Sequence, residues 1–318
     1  MDPAEPNPPA ASGACPDAGA TLTMDEVRRA DFSGITPLAV LGWPIRHSVS
    51  PQMHNAALAV MAKDDPRFDS WRYYRVEVPP DQLEEALTLL AAKGFRGLNL
   101  TIPHKVEALR YAAKVHPMAM LSGAVNTLKL QDGVWTGFNT DGTGLELAVR
   151  GEPLNDLLHD RDVVMLGAGG AARAIGAICL MSHCRSLWIG NRSADRLAEL
   201  VDKLRHVDKD GRMRSFDLTQ AATAGLPKDA LIINATSLGL KSTDPSPIHL
   251  SIFTDKAAVF DTTYGRHASA LLMEAATRHI RASNGLPMLV WQGAAALRIW
   301  TDFESGLPMA AVSRMFTA

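Results

Sequence analysis

The chain has little cysteine: Cys15, Cys179 and Cys184 are the three in 318 residues. An odd, sparse set without metal-type spacing excludes a disulfide framework and a cysteine-built metal site, and it fits a reducing compartment. Cys179 and Cys184 fall in an apolar segment and read as core residues. A charge excess is also missing. With 32 Lys and Arg against 34 Asp and Glu, the formal net charge is −2. That balance gives no electrostatic reason to expect a nucleic acid or an anionic membrane as partner. No apolar run reaches the length needed to span a bilayer. Met1 to about Thr21 is rich in Pro, Ala, Gly and Asp. It lacks a basic start and a continuous apolar stretch, so it does not read as a secretory signal. Few large apolar side chains there can offset the cost of ordering. The expectation is a disordered or extended tail over residues 1–34, with a helical turn starting near Thr23. Cytoplasmic residence is the default expectation, and no metal site is expected.

What the chain does have is length and apolar content. At 318 residues and 47% hydrophobic it can build two domains of ordinary size, each with its own core. The first half alternates strand and helix patterns. Strands are expected over 37–43, 72–78 and 97–102, and helices over 51–62, 81–93 and 104–113. Gln131-Asp132-Gly133 separates two short strands, 126–130 and 134–138, as a hairpin turn does. A helix starts near Asp141. The second half places strands at 161–166, 186–190, 231–234 and 257–260 between helical segments, the pattern of a parallel βαβ sheet. An amphipathic helix over about 288–303 follows. No internal repeat is apparent.

The most informative stretch is Gly42-Trp43-Pro44-Ile45-Arg46-His47-Ser48-Val49-Ser50-Pro51-Gln52-Met53-His54-Asn55. A strand leads in and a helix leads out. Ser50 suits an N-cap and Pro51 the first helical position. Ser48 and Ser50 thereby stand beside the N–H groups of a helix start, which favours a carboxylate ligand. The plainer reading leaves Ser50 as a cap alone.

Gly167-Ala168-Gly169-Gly170-Ala171-Ala172 follows a strand and opens a helix. Gly167 permits a tight turn, Gly169 lets the backbone approach a pyrophosphate, and small residues from Gly170 through Ala171 to Ala172 let helix and strand pack closely. The alternative is a packing turn without ligand. The tip of the next strand carries Asn191-Arg192-Ser193, with Arg196 a turn later, where NAD-selective sites place an acid. Arg192 can fork onto a 2′-phosphate and Ser193 adds a hydroxyl at a helix start, so NADP is the expected cofactor. Otherwise Ser193 is an ordinary cap and Arg192 a solvated residue.

Two further segments carry chemistry. Asn99-Leu100-Thr101-Ile102-Pro103-His104-Lys105 sets a lysine just past a strand end. Gly137-Phe138-Asn139-Thr140-Asp141-Gly142 sets a carboxylate at a helix start, and Gly123-Ala124-Val125-Asn126-Thr127 adds an amide. Taken singly, each has a plain reading: a solvated lysine, an N-cap and a turn residue.

Taken together, in order, these segments resemble the shikimate dehydrogenase family. Asn234-Ala235-Thr236-Ser237-x-Gly239, Asp261-x-x-Tyr264 and Gly285-x-x-Met288-Leu289-x-x-Gln292 complete the set. The resemblance runs from about Ile35 to the C-terminus. It implies an α/β fold with an N-terminal α/β substrate domain (35–141 and 285–318) and a Rossmann-like NADP-binding domain (142–284), the C-terminal helices returning to the former. It implies NADP-linked interconversion of 3-dehydroshikimate and shikimate, with the site in the cleft between domains. Lys105 and Asp141 would be the catalytic pair. Ser48 and Ser50 would hold the substrate carboxylate with Tyr264 nearby, and Thr101, Asn126, Asp141 and Gln292 the ring hydroxyls. Gly167, Gly169, Gly170, Ala171, Asn191, Arg192, Ser193, Arg196, Thr236, Gly285 and Met288 would contact the cofactor. A lysine ammonium beside a ketone can stabilise the developing alkoxide and supply the proton.

The chain departs from the family pattern at Gly265-Arg266, where Asn-Pro is common, and at Leu238, often smaller or polar. Two competing readings remain: a quinate/shikimate dehydrogenase using NAD or both cofactors, and a non-catalytic ligand-binding homologue. Retention of Lys105 and Asp141 speaks against the latter. The expected assembly is a monomer or homodimer acting on a small molecule.

Overall fold

In a computed structural model, the described residues are 13–265, 267–303 and 307–317. They form two compact units. The first takes the chain up to Lys114, Thr127–Gly137 and the residues from Leu297 onward; the second takes Val115–Asn126 and Phe138–Ala296.

The strands of the first unit are β1 (Thr21–Leu22), β2 (Thr36–Gly42), β3 (Trp71–Glu77), β4 (Gly97–Leu100), β5 (Lys114–Val115), β6 (Thr127–Gln131) and β7 (Val134–Phe138). Among the described residues they form one seven-stranded sheet in the order β1-β3-β2-β4-β6-β7-β5. β1, β3, β2 and β4 run parallel, and β6 pairs antiparallel with β4. β2 is an unbroken apolar run from Leu38 to Leu41, all buried, as a central parallel strand requires. Asp132 and Gly133 both have positive φ between β6 and β7, the mark of a type I′ hairpin turn. Helices α1 (Met24–Arg29), α2 (Ser50–Asp64) and α3 (Leu83–Ala92) complete the N-terminal part.

Residues 13–34 are not a disordered tail. Thr23 and Glu26 form a reciprocal capping box at the start of α1, so the expected helical turn is present. β1 pairs with β3, and Phe32 packs edge-on against Tyr74 and Phe95 at 5.7 and 5.0 Å between ring centres. Leu22, Val27 and Phe32 are the apolar groups that repay the ordering. The helix expected over 104–113 is also absent. Residues 102–106 form turns and 107–110 a short 3₁₀ segment. The Ala113 N–H donates to the Trp135 carbonyl of β7, so β5 joins the sheet where a helix would have continued.

The second unit contains helices α4 (Pro117–Ser122), α5 (Asp141–Arg150), α6 (Gly170–Met181), α7 (Ala194–Leu204) and α8 (Ala270–Thr277). Its strands are β8 (Asp162–Leu166), β9 (Ser186–Asn191), β10 (Met213–Asp217), β11 (Leu231–Asn234), β12 (Ala258–Asp261) and β13 (Arg281–Ser283). They form a wholly parallel sheet in the order β10-β9-β8-β11-β12-β13, the doubly wound arrangement of dinucleotide folds, with the switch of direction beside β8. Alternate residues of β8 serve opposite faces. Val163 and Met165 pack with α5 and α6, while Val164 and Leu166 pack with Ile232, Val259 and Leu271. Cys179 and Cys184 are buried in the first of these clusters.

Helix α9 (Leu286–Thr301) contains the division between the units, at residues 296/297. Within the first unit, α10 (Met309–Phe316) returns to pack on α2. The units thus divide elsewhere than at the expected boundaries of 141/142 and 284/285. Residues 115–126 and 138–141 belong with the second unit, where α4 packs on α6 and α7. Among the described residues no helix is long and apolar enough to cross a membrane.

Candidate active site

Ser48, Ser50, Thr101 and Lys105 belong to the first unit, and β2 and β4 position them. These strands are parallel neighbours, and their carboxyl ends are tied by Thr101 N–H to Leu41 O (2.9 Å) and Trp43 N–H to Ile102 O (3.1 Å). Ser50 is the first residue of α2, with Val49 rather than Ser50 at the cap and no side-chain capping bond. The capping role expected for Ser50 is therefore not realised. Its hydroxyl instead meets that of Ser48 at 3.2 Å, and the Ser50 N–H donates to Ser48 Oγ. Both serines are buried. Lys105 lies in the turn after β4, half-buried, directly after the buried His104. His104 Nε2 is 2.8 Å from Val78 O, and burial holds its basicity below the ordinary imidazole range.

In the second unit the structure brings Asn126, Asp141 and Gln292 together from three distant segments. Asn126 Nδ2 donates within 3.0 Å to Thr140 Oγ1, Asp141 Oδ1 and Gln292 Oε1. Asn126 Oδ1 accepts from the Thr140 N–H at 2.8 Å. Asp141 opens α5, where a carboxylate is favoured by the helix dipole. Its own N–H donates to Asn139 Oδ1, and Asn139 Nδ2 donates in turn to Ala124 O. Asp141 is only 3% exposed. Gly144, one turn later, lets α9 close on α5. A Cβ there would stand 2.7 Å from Met288 O and 2.8 Å from Gln292 Cβ.

The nucleotide loop lies at the carboxyl end of β8. Gly167 has φ +112°, and a Cβ on it would meet Ala235 O at 2.8 Å. Its N–H donates to Gly190 O, which joins the loop to β9. Gly169 is exposed, caps α6, and has open space where a Cβ would be. Gly170 and Ala171 begin α6, so this helix start has bare backbone facing outward. Ser193 caps α7 by accepting from the Arg196 N–H, and Asn191 Nδ2 donates to Ser193 O. Arg192 and Arg196 are exposed beside that helix start. Thr236 is held by Asn234, whose amide also donates to the buried Asp261. Asp261 accepts further from Thr263 and, through Oδ2, from the Ser269 hydroxyl at 2.5 Å.

Two expected cofactor residues have packing reasons of their own. A Cβ on Gly285 would stand 2.1 Å from Thr262 O, so protein backbone already requires glycine there. Met288 is buried in the core cluster around β8 and α6. Tyr264 is partly buried, and burial raises its phenol above the ordinary value, so it stays protonated. Gly265 is exposed, and Arg266 lies outside the described residues. Among the described residues no group of three His, Cys, Asp or Glu is placed to hold a metal.

The residues that the motif reading left without a role are Arg75, Asn99, Asn234 and Asp261. Tyr73 Oη donates to Asn99 Oδ1, and Asn99 Nδ2 to Thr127 Oγ1. Arg75 is the buried cation of β3, which also carries the part-buried Arg72 and Glu77, so its burial is visible only in the fold.

Residues 40–128 match the family model of the shikimate dehydrogenase substrate binding domain, and 285–304 that of the shikimate 5'-dehydrogenase C-terminal domain. Shikimate dehydrogenase (NADP(+)) of Geobacter metallireducens is 37% identical over 276 residues, covering 86% of this chain and 94% of the relative. The crystal structure of shikimate dehydrogenase from Aquifex aeolicus superposes with a TM-score of 0.77 at 26% identity, over 90% of this chain and 99% of that one. Shikimate 5-dehydrogenase from Thermus thermophilus, in complex with NADP(H) and shikimate, gives 0.74 at 32% identity, over 88% and 98%. The fold and the site define a dinucleotide-linked α/β oxidoreductase. The chain belongs to the shikimate dehydrogenase family.

Proposed function

We propose that the protein catalyses the reversible, NADP-dependent reduction of 3-dehydroshikimate to shikimate. The observation that carries this reading is the Asn126–Asp141–Gln292 group, with Asn126 and Asp141 buried and Gln292 part-buried, a polar constellation suited to ring hydroxyls. The loop residues fit the cofactor, because Gly169 leaves open space at a helix start and Arg192 and Arg196 flank the next one. NADPH supplies the hydride when bound. Gly167 makes the tight turn that lets the loop approach the cofactor's pyrophosphate, and Gly169, Gly170 and Ala171 bind it at the helix start. Asn191, Arg192, Ser193 and Arg196 meet the 2′-phosphate. Thr236, Gly285 and Met288 lie toward the nicotinamide end.

Ser48 and Ser50 hold the substrate carboxylate, with Tyr264 as a protonated donor. Thr101, Asn126 and Gln292 orient the ring hydroxyls. Lys105 stabilises the alkoxide that develops at the carbonyl oxygen and delivers the proton to it. Asp141 accepts from a substrate hydroxyl, and Asn126 fixes its carboxylate. The substrate role is assigned to 35–141 and 285–318 and the NADP role to 142–284, a division by ligand that differs from the packed units, in a cytoplasmic monomer or homodimer.

A spectrophotometric assay with shikimate and quinate, each with NADP and NAD, tests the reading. Turnover should be fastest with shikimate and NADP. Preference for quinate or for NAD would replace it with the broader activity, and absence of turnover with all four pairs would leave a binding protein.

A further inference from the structure

Arg75 stands on β3 and is 8% exposed. Its guanidinium spends its donors on neutral acceptors: Ser48 O at 2.7 Å, Gly19 O at 2.6 Å and Gln52 Oε1 at 2.8 Å. No carboxylate is among the partners of this buried cation within the described residues. Glu77, two residues along the strand, is paired with Arg46 instead. Burial lowers the affinity of Arg75 for its proton, yet an arginine stays charged in proteins. A positive charge without a protein counter-ion, bonded to the carbonyl of Ser48, is a costly feature unless an anion repays it.

We propose that Arg75 is a positioning and charge-supplying residue for the carboxylate of the substrate, acting through the Ser48–Ser50 loop. This rests on the assignment of those serines to the carboxylate. The guanidinium fork fixes the Ser48 carbonyl and the Gln52 amide, and with them the loop and the first turn of α2. Through Gly19 it also ties the segment before β1 to that loop, and the Arg75 N–H donates to Ala20 O from the same strand. A charge at this remove acts through space in a poorly solvated setting and needs no direct contact with the anion.

The test is calorimetric binding of shikimate and of its methyl ester to the parent, Arg75→Gln and Arg75→Lys, with steady-state kinetics alongside. Arg75→Gln should weaken binding of the acid about tenfold and that of the ester by less than about threefold, because only the acid carries the charge. The KM for shikimate should rise while kcat and the KM for NADP stay within about twofold, the pattern of uniform binding. Arg75→Lys keeps the charge and should restore most of the affinity for the acid. Equal losses for acid and ester, or no loss for the acid, would overturn the proposal. If Arg75→Gln does not fold, Arg75→Lys decides alone: a drop of tenfold or more in acid affinity, matched by the ester, assigns Arg75 to structure only. A parent that binds shikimate without turnover overturns the catalytic reading and leaves this one to the binding ratios. A parent that binds neither ligand overturns both.

Discussion

The serine loop of the first unit and the glycine loop of the second occupy matching places. Each leaves the carboxyl end of a parallel strand, β2 or β8, and enters a helix, α2 or α6. They differ in what they present. The serine loop offers side chains, Ser48 and Ser50, pre-arranged by each other and by a buried arginine. The glycine loop offers backbone, with open space at Gly169 and a left-handed turn at Gly167 that only glycine adopts without strain. A loop built on side chains can be tuned one hydroxyl or charge at a time. A loop built on backbone is changed mainly by blocking it, so cofactor choice passes to the side chains at the tip of β9.

The sharpest way to break this comparison is Lys105→Ala. We expect turnover to fall by ~100-fold or more while NADP binding and folding stay near the parent's, since a positioned acid contributes that much. Kinetics and a cofactor titration read both; activity within a few-fold of the parent would remove Lys105 from the chemistry. Next in size is Arg192→Ala at the tip of β9. Losing a charge-assisted contact to a 2′-phosphate should cost roughly 1.5–3 kcal/mol, or about 10–100-fold in the ratio of catalytic efficiencies for NADP over NAD. An unchanged ratio would make Arg192 a solvated residue.

The third prediction concerns the first unit alone. His54 is buried on α2, stacked on Tyr73 at 4.2 Å, and burial lowers its pKa from 6.5 to about 3. The unfolded chain takes up a proton below about pH 6.5, and the folded chain does not until about pH 3. Stability through His54 is therefore intact above pH 6.5 and is lost progressively as pH falls toward 3. About 1.6 kcal/mol of that loss accrues between pH 6.5 and pH 5, the slope rising from half of 1.36 kcal/mol per unit at pH 6.5 toward its full value. Denaturant unfolding of the parent and His54→Phe at both pH values should show the variant losing less by that amount. Equal slopes would place the acid sensitivity elsewhere. The smallest effect is expected for Ser48→Ala with Ser50→Ala: about a tenfold rise in the KM for shikimate with little change in kcat, as for uniform binding. Unchanged shikimate affinity by calorimetry would return both serines to a purely structural role.

Legibility in the sequence followed the physics of each element. β2, β8 and β11 are continuous apolar runs, and the hairpin turn carries its Asp-Gly signature, so both kinds of element could be read locally. β1 could not, because a two-residue strand exists only through its pairing with β3. The segment after Lys105 has a helical pattern, but the Ala113–Trp135 bond draws it into the sheet, a tertiary choice that overrides propensity. Asn126, Asp141 and Gln292 were named from motifs, yet their mutual contacts join residues up to 166 apart and no local pattern encodes that. Arg75 belongs to no motif, and nothing local sets it apart from Arg72 on the same strand. What gives it a role is the set of neutral acceptors that folding places around it.

The pairing of β1 with β3 also bears on how the protein can be handled. Thr21 and Leu22 lie alongside Arg75 and Val76 and cover the outer side of β3. Trimming the chain back to Ile35 would uncover that side and leave the unpaired N–H and C=O groups of a strand rich in aromatic residues. Such a rim is a template for adding a strand from another molecule. A shortened version designed to match the family core would therefore be prone to self-association, however well its catalytic groups were preserved.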